Sequence, residues 1–176
     1  LPWATFQKAV DTANPGDVIN VRPGIYSPAA VDSGVDITRS GTSAAPITLR
    51  GDGGRPVLNC SNLTVNNDSY CFDLRANWWI IKDIDVTGAQ QYANDYVGMG
   101  VLLFKASNNV IENVRSYANE GPGFALGYSS VSANNLFLNC DAYDNADRVT
   151  SVTTPVPGNG QNSQTTSSTY DNLDRV

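Results

Sequence analysis

The stretch WIIKDIDV, residues 79–86, decides the fold, because two later segments of the chain superpose on it. These segments are NVIENVRS at residues 109–116 and NLFLNCDA at residues 135–142, at offsets of 30 and 26 residues. Self-similarity at such an interval is the sequence signature of a repeat architecture. The shared positions are an apolar column (Ile80, Val110, Leu136), a polar column (Asp83, Asn113, Asn139) and a second apolar column (Ile84, Val114, Cys140).

A second set of apolar segments lies between these repeats. It comprises FDL at 72–74, VLL at 101–103 and FAL at 124–126, at offsets of 29 and 23 residues. A unit of this length with several short strands and no helix is typical of a parallel β-solenoid, in which each turn buries its inward side chains on those of its neighbours. An antiparallel sandwich remains the alternative, although it predicts longer alternating strands and no such register.

The polar column predicts a bend and not a catalytic site. Asn and Asp tolerate the left-handed backbone conformation, and their side chains can hydrogen-bond to the turn above or below. We therefore expect Asp83, Asn113 and Asn139 to form a structural ladder, while the aliphatic columns form the core.

The two ends of the chain differ from the repeats. Apolar residues recur at helical spacing after Thr5, which predicts a short helical cap over about residues 4–14. Residues 148–176 are rich in Pro, Gly, Ser and Thr, a composition typical of a tail or linker. We therefore assign residues 1–147 to one β-helix domain and residues 148–176 to a tail or linker.

The composition excludes several function classes. The 176 residues contain 17 Asp and Glu against 11 Lys and Arg, a net charge of −6, which makes nucleic acid a poor partner. There is no histidine, so His-dependent nucleophilic triads, imidazole acid–base chemistry and His-ligated zinc are excluded. The longest apolar stretch, residues 97–104, is far shorter than the roughly 20 residues that span a bilayer, so no membrane span is expected.

Three cysteines and three glycosylation sequons add constraints. Cys60 and Cys71 enclose a loop that suits a disulfide, although two small buried hydrophobic side chains are an equal alternative. Cys140 is expected to be a buried free thiol. The sequons at Asn59, Asn62 and Asn67 would place glycans on the same loop in a glycosylating host, and would have no meaning in a bacterial one.

Five segments carry a family resemblance. They are WATFQKAV at 3–10, PGDVINVRPGIY at 15–26, SGTSAAPITL at 40–49, RPVL at 55–58 and NCDAYDNAD at 139–147. They resemble the right-handed parallel β-helix polysaccharide lyases, and most closely the family 9 pectate lyases. The first four segments occur in many extracellular β-helix proteins and indicate fold, whereas the last is narrower. The resemblance implies an all-β, right-handed parallel β-helix of about five turns with a short N-terminal capping helix.

The resemblance also implies a chemistry. Pectate lyases of this family cleave polygalacturonate by β-elimination: Ca²⁺ held by carboxylates binds the uronate and acidifies a C5 proton, which a Lys or Arg removes. Carried over to the matching stretch, Asp141 lies near the calcium site, with Asp144 and Asp147 as further ligands. The Asp-Gly stretch and the lysine that the family carries one turn later have no counterpart here, so the catalytic residues are unknown.

Each candidate site also has a structural interpretation. Asp141, Asp144 and Asp147 equally fit a solvated acidic turn. Lys82, Lys105 and Arg115 are candidate bases, although surface charge describes them better. Aromatic side chains could stack on sugar rings, but packing at the rim and in the core accounts for them as well. These aromatic residues are Trp78, Trp79, Tyr92, Tyr96, Tyr117, Tyr128 and Tyr143.

Two function classes follow. The first is an extracellular, pectate-lyase-like protein that binds or acts on acidic polysaccharide (polyuronate) with Ca²⁺. The second is a glycosylated structural or adhesive subunit that forms a homopolymer by stacking its coil ends into filaments. The chain does not begin with Met, which favours a processed, secreted protein. The last apolar turn would have to be covered by further turns, by the tail or by the next subunit.

Overall fold

The computed structural model describes residues 4–93, 96–127 and 132–143, together with the backbone of two strands at 149–154 and 164–167. Within these residues lie one helix and sixteen strands. The elements are α1 (Phe6–Thr12), β1 (Val18–Val21), β2 (Ile25–Tyr26), β3 (Ser33–Ile37), β4 (Ile47–Gly51), β5 (Val57–Asn59), β6 (Ser69–Leu74), β7 (Trp79–Lys82), β8 (Asp85–Thr87), β9 (Gly98–Leu103), β10 (Val110–Glu112), β11 (Arg115–Tyr117), β12 (Phe124–Leu126), β13 (Leu136–Leu138), β14 (Asp141–Tyr143), β15 (Val149–Thr154) and β16 (Gln164–Ser167).

The strands form the three sheets of a right-handed parallel β-helix, as predicted. Sheet A has the order β1-β4-β7-β10-β13, and sheet C has the order β3-β6-β9-β12. Sheet B runs β2-β5-β8-β11-β14 and then continues into β15 and β16. Every third strand joins the same sheet, so β1 to β12 make four complete turns and β13 and β14 begin another. The prediction of about five turns was therefore slightly high.

The register of the sheets confirms the superposition of the repeats. Val110 pairs with Ile80 on one side and with Leu136 on the other, all in parallel. The second set aligns in the same way, because Phe72 pairs with Val101 and Val101 with Phe124. Parallel pairing between segments so far apart in sequence excludes the antiparallel sandwich.

In sheet A the core is formed by the column of Ile81 and Ile111, and not by the predicted column that begins with Ile80. Ile81 and Ile111 are 1% and 0% exposed, whereas Ile80 and Val110 are only half-buried. Successive side chains of a strand point to opposite faces, so the Ile80 column lies on the outer face. The expectation that this column forms the core was wrong. The second apolar column is buried as predicted, and it comprises Ile84, Val114 and Cys140.

The polar column forms the predicted bends between sheets A and B. Asp83, Asn113 and Asn139 have φ of 57°, 52° and 50°, the left-handed conformation that Asn and Asp tolerate. Asn113 Nδ2 donates to Asp83 Oδ1 at 2.5 Å, which links two turns. The Asn113 side chain is exposed, so this ladder lies on the surface.

A buried ladder stands at the bends between sheets C and A. Asn109 is fully buried, and its Oδ1 accepts from the Trp79 backbone N–H at 2.8 Å. Its Nδ2 donates to the Ala76 carbonyl at 3.0 Å and to Asn135 Oδ1 at 3.1 Å. These bonds satisfy backbone groups that the bends leave without a strand partner. This ladder was not predicted from the sequence.

The helix α1 caps the first turn. Thr5 is its N-cap, since the Lys8 backbone N–H donates to Thr5 Oγ1 at 3.2 Å. Phe6 is buried and contacts the Phe72 ring edge-on, with the ring centroids 5.9 Å apart. The helix is shorter than the predicted 4–14, because it ends at Thr12 and its C-cap, Ala13, is already extended.

The segment predicted as a tail contributes two strands. β15 pairs antiparallel with β14, and β16 pairs antiparallel with β15. The edge of sheet B beyond β14 is therefore covered by backbone of the same chain. Among the described residues, no helix is long and apolar enough to cross a membrane.

Candidate functional site

Asp141, the first of the three predicted calcium ligands, begins β14 in sheet B. Its neighbours across the sheet are Arg115 of β11 and Val152 of β15. The Asp141 side chain is half-buried, and its Oδ2 accepts a hydrogen bond from the Tyr143 hydroxyl at 3.3 Å. Asp144 and Asp147 lie outside the described residues, so the structure places only one of the three carboxylates.

Asp141 continues a series of alternating charges across sheet B. Arg115 is in register with Asp85 on one side and with Asp141 on the other. Arg115 Nε donates to Asp85 Oδ1 at 2.9 Å, and its Nη2 pairs with Asp85 Oδ2. Arg55 Nε donates to the same Asp85 Oδ1 at 2.7 Å. We call Arg55, Asp85, Arg115 and Asp141 the charged cluster.

The charges of this cluster are fixed by contact. Burial raises the pKa of Asp85, but the hydrogen bonds and charges of Arg115 and Arg55 outweigh it and hold that pKa below the usual range. The hydrogen bond to Asp85 in turn raises the pKa of Arg115. Arg115 therefore keeps its proton, which suits binding of an anion better than the role of a base.

Accessibility differs within the charged cluster. The Asp85 side chain is 4% exposed, whereas the Arg115 side chain is 45% exposed. A guanidinium has five N–H donors, and Asp85 engages only part of them. Arg115 can therefore bind an external carboxylate while it stays paired with Asp85.

Calcium fits the described residues poorly. Ca²⁺ takes six to eight oxygen ligands, mostly carboxylates and carbonyls. Among the described residues no group of three or more metal-ligating side chains occurs. Asp85 is engaged by two arginines, so Asp141 is the carboxylate of the charged cluster that remains for a cation. The described residues do not by themselves form a calcium site.

The three candidate bases lie apart. Lys82 pairs with Glu112 in sheet A at 3.5 Å. Lys105 Nζ lies 5.4 Å from the centroid of the Phe104 ring, at a bend that follows sheet C. Arg115 is the one of the three that the sheet register brings beside Asp141.

The aromatic candidates differ in how deeply they are buried. Trp79 is fully buried, and its Nε1 donates to the Arg39 carbonyl at 2.6 Å, so it belongs to the core. Tyr92 is exposed and contacts Tyr96 edge-on, with centroids 5.7 Å apart. Three others are half-buried and one lies outside the described residues. The half-buried residues are Trp78, Tyr117 and Tyr143, and the residue outside is Tyr128.

The cysteine loop holds its sequons in different environments. The structure pairs Cys60 with Cys71, both buried, with Cα atoms 5.7 Å apart, and leaves Cys140 as a buried free thiol. Asn62 is exposed, whereas Asn59 is half-buried. Asn67 is exposed, but its Nδ2 donates to Asp32 Oδ2 at 3.0 Å.

Asp85 and Arg55 were not assigned to the site from the sequence. A signal for Asp85 was present, since Asp85, Arg115 and Asp141 occupy the same position in the three superposed repeats. The contact of Arg55 with Asp85 joins residues 30 apart in sequence, so only the stacking of turns shows it.

The family model described as Pel9A-like, right-handed beta helix region, matches residues 1–172. Pectate lyase PEL9 of Emericella nidulans is 30% identical over 158 residues, which cover 83% of this chain and 35% of the relative. Pectate lyase L of Paenibacillus polymyxa is 31% identical over 153 residues, which cover 81% of this chain and 31% of the relative. A solved structure of a rhamnogalacturonan lyase superposes with a TM-score of 0.69 at 23% identity, over 83% of this chain and 39% of that one. The chain thus spans about a third of the length of these curated relatives.

Proposed function

Because the chain belongs to the Pel9A-like right-handed β-helix family, we propose that it binds an acidic polysaccharide of the polyuronate class. The observation that carries the proposal is the match of more than four fifths of the chain to pectate lyases at 30% and 31% identity. Polysaccharide-lyase-like function is what these relatives support.

The charged cluster supplies a suitable contact for such a polymer. Each uronate carries a carboxylate, and a guanidinium binds a carboxylate through paired, charge-assisted hydrogen bonds. Arg115 is half-exposed and is held in place by Asp85. Tyr143 lies beside Asp141, and an aromatic ring suits the apolar face of a sugar. Arg115 is thus the residue we assign to uronate binding.

The proposal includes Ca²⁺, for which Asp141, Asp144 and Asp147 would supply ligands. Carboxylate oxygens are the ligands that Ca²⁺ prefers, and its role in this family's chemistry is to bind the uronate. Since the described residues alone do not make a calcium site, we propose these three only as contributors to one. The metal would then increase the affinity for polyuronate.

Affinity electrophoresis in gels that contain polygalacturonate tests the proposal. We expect retardation of the wild-type chain and a weaker effect for Arg115→Gln. The matched control is Arg50→Gln, since Arg50 binds Asn20 on sheet A and lies outside the charged cluster. Unretarded wild-type protein would contradict the function. A chelator that leaves the retardation unchanged would contradict the calcium part alone.

A second readout separates binding from cleavage. β-Elimination releases an unsaturated product that absorbs in the ultraviolet, so incubation with polygalacturonate and Ca²⁺ reports it directly. Product that disappears in Asp141→Asn but persists in Asp52→Asn, an exposed carboxylate elsewhere, would extend the proposal to lyase activity. Binding without product would limit it to recognition.

The alternative function is a structural subunit that stacks end to end. It requires free strand edges at both ends of the coil. The exposed Val18 and Ile25 on the first strands of sheets A and B favour one such edge. At the other end β15 already pairs with β14. Long fibres in electron micrographs, together with no polyuronate binding, would favour the subunit over the polysaccharide function.

Extracellular location and glycosylation complete the proposal. We propose that Asn59, Asn62 and Asn67 accept glycans when the chain is made by a glycosylating host, and that Cys60–Cys71 is oxidised outside the cell. A glycosidase-dependent change in electrophoretic mobility of the secreted protein tests the glycans. Unchanged mobility would contradict them.

A further inference from the structure

The bends between sheets C and A carry a group of cations and aromatic rings, of which Lys105 and Trp78 were separate candidates from the sequence. The bend after β6 holds Arg75 and Trp78, and the bend after β9 holds Phe104 and Lys105. Arg75 and Lys105 are exposed, and the two aromatic residues are half-buried. We call these four residues the basic ridge. It lies on different elements from the charged cluster of sheet B.

The ridge gathers two positive charges on one ring. Arg75 Cζ lies 5.0 Å from the centroid of Phe104, and Lys105 Nζ lies 5.4 Å from the same centroid. A ring attracts each cation, but the two cations repel each other. Asp73 pairs with Arg75 at 2.8 Å, so within the described residues the unpaired positive charge at this ring is that of Lys105.

Arg75 is fixed in position by a buried carboxylate. Its Nε donates to Asp73 Oδ2 at 2.9 Å, and the side chain of Asp73 is only 3% exposed. Arg75 itself is 48% exposed, so its remaining N–H donors face solvent. Among the described residues Lys105 forms no ion pair, which leaves its ammonium available to an external anion.

Trp78 adds a second aromatic surface in a costly backbone conformation. Its φ is 61°, and the equivalent positions of the next two turns are Asn108 and Asn134, with φ of 59° and 56°. Asn tolerates this conformation, whereas a bulky side chain is strained there. The bend would therefore be more stable with Asn, yet it presents a partly exposed indole.

We propose that the basic ridge is a second docking site for a polyuronate chain. Trp78 contacts the apolar face of a sugar ring, while Arg75 and Lys105, which both contact the Phe104 ring, bind uronate carboxylates. A ligand that offers both apolar faces and regularly spaced carboxylates fits this combination. The inference rests on the proposed function, since it adds contacts for the same class of polysaccharide.

Affinity electrophoresis with polygalacturonate tests the ridge through conservative variants of the full chain. Lys105→Asn removes the charge and tolerates the φ of 54°, and Phe104→Leu keeps the apolar volume without the ring. We expect each to weaken binding about two- to fivefold, the range of exposed charge and ring contacts. The control Lys82→Gln, whose lysine pairs with Glu112 on sheet A, should bind like the wild type.

Trp78→Asn separates a binding role from a structural one. Since Asn relieves the strained backbone, the variant should melt at a higher temperature and yet bind polygalacturonate more weakly. A purely structural Trp78 would not give these opposite changes. With methyl-esterified polygalacturonate, which lacks the charges, Lys105→Asn and the wild type should bind alike.

The outcomes distinguish this inference from the proposed function. Wild-type binding that Arg115→Gln weakens, but Lys105→Asn and Phe104→Leu leave unchanged, overturns the ridge alone. A wild-type chain that does not bind overturns both. Weakening by the ridge variants with an unchanged Lys82→Gln supports the second site.

Discussion

Asp32 holds the loop that carries the sequons. Its carboxylate accepts from the Asn66 backbone N–H at 2.6 Å and from the Asn67 side chain at 3.0 Å. These hydrogen bonds, the first of them most strongly, lower the pKa of Asp32 from its usual 3.8. An acid whose pKa is depressed by folding stabilises the protein while it is ionised. That contribution is complete above the pKa of the unfolded chain and is lost as the pH falls through the folded pKa.

Asp32→Asn should therefore lower the melting temperature in a pH-dependent way. Asn tolerates the φ of 60°, so the variant changes the charge without straining the backbone. We expect a clear difference from the wild type at about pH 6 that shrinks below about pH 4. Thermal melts across this range measure it. An equal difference at both ends of the range would show that the carboxylate charge does not hold the loop.

The buried Asn109 ladder should stabilise the protein more than the exposed Asn113 ladder. Asn109→Leu leaves the Trp79 N–H and the Ala76 carbonyl without their partner in the core, at about 1–3 kcal/mol for each buried group. Asn113→Gly keeps the left-handed bend but removes an exposed amide, so it should change the free energy of unfolding by less than about 0.5 kcal/mol. Denaturant titrations compare the two. Similar losses would refute the distinction between buried and exposed ladders.

At the level of elements, the pairing of Cys60 with Cys71 ties β6 to the turn that follows β5. The two residues are 11 apart in sequence, and closing a loop of this length is worth about 2–3 kcal/mol through the unfolded state. We expect Cys60→Ala/Cys71→Ala to lose that amount in the free energy of unfolding. Thiol titration of the oxidised, denatured wild type should find only Cys140. Three reactive thiols would show that the bridge does not form.

The short strands explain what the sequence could and could not predict about the elements. Three superposed repeats were enough to align Ile80, Val110 and Leu136 in one register, because that alignment needs only spacing. The face was misassigned, since in a four-residue strand such as β7 both Ile80 and Ile81 are apolar and alternation cannot choose between them. Packing against the neighbouring turns determines which side chain faces the core, and there Ile81 is buried.

For the site, too, the sequence predicts the register of the residues but not their burial. The shared repeat position of Asp85, Arg115 and Asp141 encodes a column of alternating charge, and the structure brings these residues into one register. The buried state of Asp85 and its second partner, Arg55, depend on how the turns pack. Arg75 and Phe104 follow the aligned segments 72–74 and 101–103 at the same position. The contact of the Phe104 ring with both cations depends on how the bends fold, which the alignment alone does not give.

For the whole molecule, repeat length and family resemblance predicted a right-handed parallel coil, and the structure confirms it. The turn count was overestimated because β13 and β14 begin a turn that the described strands do not complete. In sheet B, β14 is followed by β15, which pairs antiparallel with it, and then by β16. Two of the three proposed calcium ligands, Asp144 and Asp147, lie outside the described residues. The metal therefore remains a proposal that rests on chemistry and resemblance.

The overall charge gives the polysaccharide proposal a specific dependence on salt. A chain of net charge −6 repels a polyanion at long range, so binding must come from local cations such as Arg115. Salt screens such exposed pairs, with a Debye length of about 10 Å at 0.1 M. Recognition of uronates should therefore weaken as the ionic strength rises.

Calorimetric titration of the chain with oligogalacturonate, beside its neutral methyl ester, tests the central claim most directly. The account predicts saturable binding of the charged sugar that weakens with added salt, and weaker, salt-insensitive binding of the ester. No heat with either sugar, or equal affinity for both, would contradict the claim that this β-helix recognises polyuronate through its cations.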